Sequence, residues 1–237
     1  MPAARARGSD LSPGDPRGTL FPVKTYPFNE LNASALAEVA DIRRERSQSE
    51  VWDELARREI SEPERAALRL IVARLFYFNT HLANEATVWA RAIYPLLVLA
   101  ERGGVIAFSL VPLRATFDGV ELRGEVDGAL AVSVDAEPDV PYLVVLEAKR
   151  GVTATDPVHQ LLGAMLCAAR RNELAGKPAE EIFGCYTIAD VWTFVRGQLD
   201  WSRERPVMNV LSSREYAEKT EAGAILAILG SVVAAAA

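Results

Sequence analysis

Hydrophobic and polar positions change period part-way along this 237-residue chain, from helix-like in its first hundred residues to strand-like beyond. The stretch 31–60 reads as helical, with charged positions such as Arg43, Arg44, Arg57 and Arg58. Ser61-Glu62-Pro63-Glu64 then forms a helix start: Ser61 caps, Pro63 is tolerated in the first turn, and Glu64 stands in capping-box register. The helix it opens runs through ALRLIVARLFYF, apolar around much of its circumference. A second helix is expected over 83–101, ending at Gly103-Gly104. Val105 to Val111 is a short apolar run, and Ala115 to Val134 alternates as strands do, broken at Asp118-Gly119. Tyr142 to Leu146, after Pro141, is a continuous apolar run that fits a central strand covered on both faces. Asp156 and Pro157 suit the start of a third helix through HQLLGAMLCAARR. Ile182 to Ile188 and Val191 to Val195 read as a strand pair around Ala189-Asp190, and a last helix is expected to start near Ser212 or Ser213. The order implies a mixed α/β protein with one sheet flanked by helices.

Composition narrows the class. Half of the residues are hydrophobic and 24% are charged, which suits one sizeable globular core over 25–237. The net charge is −6 and the pI about 5.2, so contact with nucleic acid has to come from local basic patches. Residues 1–24 read as a flexible basic arm, with no apolar core of a secretory signal. Cys167 and Cys185 form no CxxC pair; they read as buried free thiols and point to a reducing, cytoplasmic setting. The uncharged end AGAILAILGSVVAAAA has 16 residues where a membrane span needs about 20 strongly apolar ones, so it reads as a buried or partner-facing helix.

The candidate chemistry lies at the end of the apolar run. In Leu143-Val144-Val145-Leu146-Glu147-Ala148-Lys149, strand alternation points Glu147 and Lys149 the same way. Asp127 lies in a strand-like stretch 20 residues earlier, and a turn through Asp135 to Asp139 would pair the two stretches antiparallel. Two carboxylates would hold a hard cation such as Mg²⁺ through oxygen. The metal would neutralise phosphate and acidify water, and Lys149 would add positive charge or help deprotonate the attacking water.

Asp127 followed by Glu147-Ala148-Lys149 after an apolar strand resembles the D…(D/E)xK motif of the PD-(D/E)xK nuclease superfamily. The resemblance spans about 84–196 and implies a restriction-endonuclease-like mixed central sheet flanked by helices, in α-β-β-β-α-β order, with an N-terminal helical extension. Val126 stands where the family's name has proline. The resemblance also implies roles for two further residues. Glu85, in helical register with Val88, Trp89, Ala92 and Leu96, matches the acidic residue of the preceding helix and would face inward to join the metal site. Gln160, 11 residues past Lys149, matches the glutamine of the following helix and would position water or a phosphate oxygen. The implied activity is Mg²⁺-dependent hydrolysis of phosphodiester bonds in DNA, with Mn²⁺ as substitute and a homodimer as one working form.

The rival reading is an inactive nuclease-fold module for nucleic-acid binding or assembly. Arg114, Arg123, Arg150, Arg170, Arg171 and Arg196 are candidate phosphate contacts. His81 and His159 match no zinc-ligand spacing, and neither a P-loop nor a GxSxG elbow occurs.

Overall fold

The computed structural model describes residues 23–45, 49–149 and 157–235. Most of the expected basic arm, Arg150 and the Asp156 cap lie outside them. Among the described residues eight strands form one mixed sheet. They are β1 (Lys24–Pro27), β2 (Asp41–Arg44), β3 (Val105–Phe117), β4 (Val120–Val134), β5 (Glu137–Lys149), β6 (Glu181–Ile188), β7 (Val191–Asp200) and β8 (Val207–Ala217). The order is β1-β4-β5-β6-β7-β8-β2, with β3 on the other edge of β4. The helices are α1 (Ala33–Ala37), α2 (Ser49–Leu55), α3 (Glu62–Phe76), α4 (Glu85–Val88), α5 (Tyr94–Leu99), α6 (Val158–Leu174) and α7 (Glu218–Ala234), with a π turn, Trp89–Ile93, joining α4 to α5.

Turn chemistry sets the register of the central strands. Asp118 (φ 39°) and Gly119 (φ 81°) close the β3–β4 hairpin, and Asp135 (φ 51°) and Ala136 (φ 65°) close β4–β5. Two consecutive left-handed residues give the turn whose twist matches paired strands. The second turn is therefore tighter than the expected 135–139 loop, with Glu137 already in β5. Next, β5 pairs antiparallel with β4 and parallel with β6, with α6 as the crossover between β5 and β6. Both faces of β5 are covered: Val145 packs in the core under α6, while Val144, Leu146 and Ala148 pack in the core on the side of α3, α5 and α7. That double burial explains the unbroken apolar run.

The N-terminal third corrects the helical extension expected over 31–60. Asn32 caps a helix of only five residues, accepting from the N–H groups of Ser34 and Ala35. Asp41–Arg44 then runs parallel to β8 as the outermost strand, and β1 joins β4. The charges at Arg43 and Arg44 suit an exposed sheet edge as well as a helix surface, so they did not discriminate. The capping box at Ser61 and Glu64 forms as expected, with Pro63 in the first turn.

The end of the chain differs too. Ser212 and Ser213 lie within β8, not at a helix start. Ser213 Oγ accepts the Phe194 N–H at 2.9 Å, where the β7–β8 register shifts between Thr193 and Val195. The last helix, α7, begins at Glu218 and buries Ile225, Leu226, Ile228 and Leu229 against Trp52, Leu68, Leu75 and Leu96. Its apolar surface is used inside the chain, and no helix among the described residues is long and apolar enough to cross a membrane. Cys167 and Cys185 are free, buried, and in the cores on opposite faces of the sheet.

Candidate active site

Strand pairing brings Asp127 and Glu147 together. Gly128 stands opposite Leu146 and Ala129 opposite Val145, so the antiparallel run brings residue 127, before Gly128, beside residue 147, after Leu146. Asp127 Oδ2 accepts the backbone N–H of Ala148 at 2.6 Å, fastening the carboxylate to the end of β5. Glu147 is 1% exposed. Its Oε1 accepts a hydrogen bond from Lys149 Nζ, whereas Oε2 is buried with no hydrogen-bond partner among the described residues. A buried acceptor left unpaired is costly, and most such atoms in folded proteins find a donor or an ion.

The charges around this point are unbalanced. Burial pushes the Glu147 carboxyl up to about 7; the Asp127 carboxylate pushes the same way, and Lys149 opposes. Burial also raises Asp127, against the Ala148 N–H and Lys149. Burial alone would lower Lys149, but its hydrogen bond to Glu147 and the charges of Glu147, Asp127 and Glu85 outweigh it and raise the pKa. All three shifts favour the protonated forms, so the cluster retains protons and lacks positive charge.

Glu85 follows the cap Asn84, whose side chain accepts the Thr87 N–H at 2.8 Å. It is exposed rather than turned inward, at the first position of α4. It nevertheless lines a cavity of about 380 Å³ together with Ala86, Trp89, Ser109, Leu110, Asp127 and Ala148. Its charge is felt at Asp127, Glu147 and Lys149 alike.

Gln160 lies half-buried in the first turn of α6, the helix that covers the face shared by Val145 and, by alternation, Glu147 and Lys149. Among the described residues no hydrogen bond joins it to the three. The arginines divide. Arg170 is paired with Glu173 and Arg196 with Glu181, while Arg171 lies over the Tyr142 ring. Arg114 and Arg123 stand opposite one another on β3 and β4, both exposed.

No protein-family model matches the chain, and no curated protein matches it either. The site's own chemistry therefore carries the functional argument.

Two features escaped sequence reasoning. Helical register marks Trp89 only as one of an inward-facing row, yet its indole forms a wall of the cavity beside Asp127. The second is a polar knot at the β6–β7 turn, where Thr80 Oγ1 donates to Asp190 at 2.5 Å and Trp192 Nε1 donates to Glu218 at 2.9 Å. Asp190 is 4% exposed, and Thr80 and Glu218 not at all. Partners 110 and 26 residues apart in sequence leave no local spacing to find.

Proposed function

We propose that this chain is a Mg²⁺-dependent nuclease that hydrolyses phosphodiester bonds in DNA. The observation that carries the reading is the meeting of Asp127, Glu147 and Lys149 at the end of a doubly buried strand, with Glu147 Oε2 buried and without a partner among the described residues. The run α4–α5, β3, β4, β5, α6, β6 supports the finer fold reading, since it has the α-β-β-β-α-β order of the restriction-endonuclease-like fold.

The residues fit a metal of this kind. Among the described residues no three His, Cys, Asp or Glu side chains converge as a ready cage, but Mg²⁺ keeps several waters and takes one or two carboxylates together with substrate phosphate. Asp127 and Glu147 would hold it, with Glu85 at the cavity mouth within electrostatic reach. Bound there, the ion would polarise the phosphate and ease deprotonation of water. Asp127 is oriented by the Ala148 N–H. Lys149, whose ammonium donates to Glu147 Oε1, would also offer its charge to the phosphate oxygens and stabilise the charge that grows on them. Its raised pKa favours this electrostatic role over that of a general base. Gln160, on the helix over the same face, would orient water or phosphate.

The test is cleavage of linear, circular and single-stranded DNA with Mg²⁺ or Mn²⁺. Wild type is expected to cut, and Asp127→Asn and Lys149→Ala to lose at least about 100-fold in rate, the usual effect of removing one charge-stabilising group. Absence of both cleavage and calorimetric metal binding in the wild type would leave the inactive binding module as the reading.

A further inference from the structure

The cavity beside Asp127 has a composition that metal chemistry alone does not require. Trp89, Leu110, Ala86 and Ala148 supply apolar walls, while Glu85, Asp127 and Ser109 supply the polar edge. Its volume of about 380 Å³ lies in the range of small-molecule sites. We propose that it takes one unpaired nucleobase next to the scissile phosphate, so that the substrate is single-stranded, frayed or extruded DNA rather than intact duplex. The proposal deepens the nuclease reading and rests on it for the position of the phosphate.

Three observations favour a flat aromatic occupant. The Trp89 indole is fixed before any ligand arrives: Nε1 donates to Ser109 Oγ at 3.2 Å. Its far edge lies against Gly128, where an added Cβ would stand 2.4 Å from Trp89 Cη2. A glycine at 128 therefore makes room for the ring immediately beside Asp127. On the opposing strand Leu110 has φ 54° and is 61% exposed, a sparsely populated backbone that turns an aliphatic side chain toward the cavity. An aromatic platform and an aliphatic cover hold any base through its π-face, without reading its identity. In a B-form duplex the bases are stacked and beyond reach, so a phosphate at Asp127 and a base on Trp89 require the base to leave the stack.

The experiment uses the full chain with Ca²⁺ in place of Mg²⁺ and measures the binding of three labelled oligomers of equal length by fluorescence anisotropy: single-stranded oligothymidine, its abasic counterpart and a blunt duplex. The base-bearing single strand is expected to bind about tenfold more tightly than the abasic strand, the usual effect of one stacked base. Trp89→Ala is expected to abolish that preference and Trp89→Phe to keep most of it, which separates loss of stacking from loss of fold. Equal affinity for base-bearing and abasic strands, no binding of either, or a preference that survives in Trp89→Ala overturns the assignment. Mg²⁺-dependent cleavage, measured beside it, reports on the nuclease reading by itself. Cleavage without base preference removes only the pocket, and base preference without cleavage removes only the catalysis.

Discussion

Replacing Glu218 by glutamine tests how far burial controls charge in this fold. Glu218 opens α7 with its side chain fully buried. Trp192 Nε1 donates to Oε2 at 2.9 Å, and Oε1 has no partner among the described residues. Burial pushes its carboxyl up to about 8; the Trp192 bond opposes this, nearby Asp190 adds to it, and Lys219 opposes it. The ordinary value, 4.5, applies when the chain unfolds. Between these two values the folded state holds a proton that the unfolded state has released, so stability falls as pH rises. The slope approaches about 1.4 kcal/mol per pH unit within that window. Across the window the loss is on the order of 5 kcal/mol, complete above about pH 8. Glutamine keeps an acceptor for Trp192 and cannot ionise. Urea unfolding of both proteins from pH 5 to 9 is therefore expected to give nearly equal stabilities at pH 5. The advantage of Glu218→Gln should then grow steadily and level off above about pH 8. Taking the difference cancels every other titrating group. A difference that stays constant across the range would mean that Glu218 binds the same number of protons folded and unfolded, and the argument from burial would fail.

Other outcomes follow from separate features. At pH 6, below the value of about 7 for Glu147, Mg²⁺ binding is expected to release a proton, read by calorimetry in buffers of different ionisation enthalpy; Glu147→Gln should abolish both the release and most of the affinity. Gly128→Ala should displace the Trp89 ring, given the 2.4 Å clash, and lower stability by about 1–3 kcal/mol in urea unfolding. Ser61→Ala removes the cap of α3 and should cost about 1 kcal/mol by the same assay, with no effect on metal binding. Cys167 and Cys185 should resist a thiol reagent in the native protein and react on unfolding, because burial raises both thiols and covers them.

What could be read from the sequence was whatever a local rule fixes. Leu143 to Lys149 carried its own strand, its double burial and the shared direction of Glu147 and Lys149, because period-2 alternation is local. The Ser61 to Glu64 cap was equally self-contained. Asp127 was within reach because one tight turn joins its strand to β5. The failures belong to edges and long-range partners. Asp41–Arg44 is a strand only because β8 lies beside it, and nothing in four residues records a partner more than 150 residues away. Ser212 and Ser213 had the chemistry of a cap, but Ser213 spends its hydroxyl on the backbone of β7. Glu85 had the right register for an inward residue, yet its place at the very start of α4 leaves it exposed at the cavity mouth.

The π turn at Trp89–Ile93 separates two tasks within one helical stretch. Residues after it, Leu96 and Leu97, anchor in the core, and residues before it, Glu85 and Ala86, line the cavity. A π turn carries one more residue than the α-helical turn it replaces, which sets the two halves about 100° out of phase. Removing a single residue there would turn Glu85 away from Asp127 while leaving the anchor in place. Single-residue insertions and deletions in this turn would therefore re-index the side chains at the cavity mouth, at the expense of repacking Ala92 and Ile93, which the turn itself buries in the core.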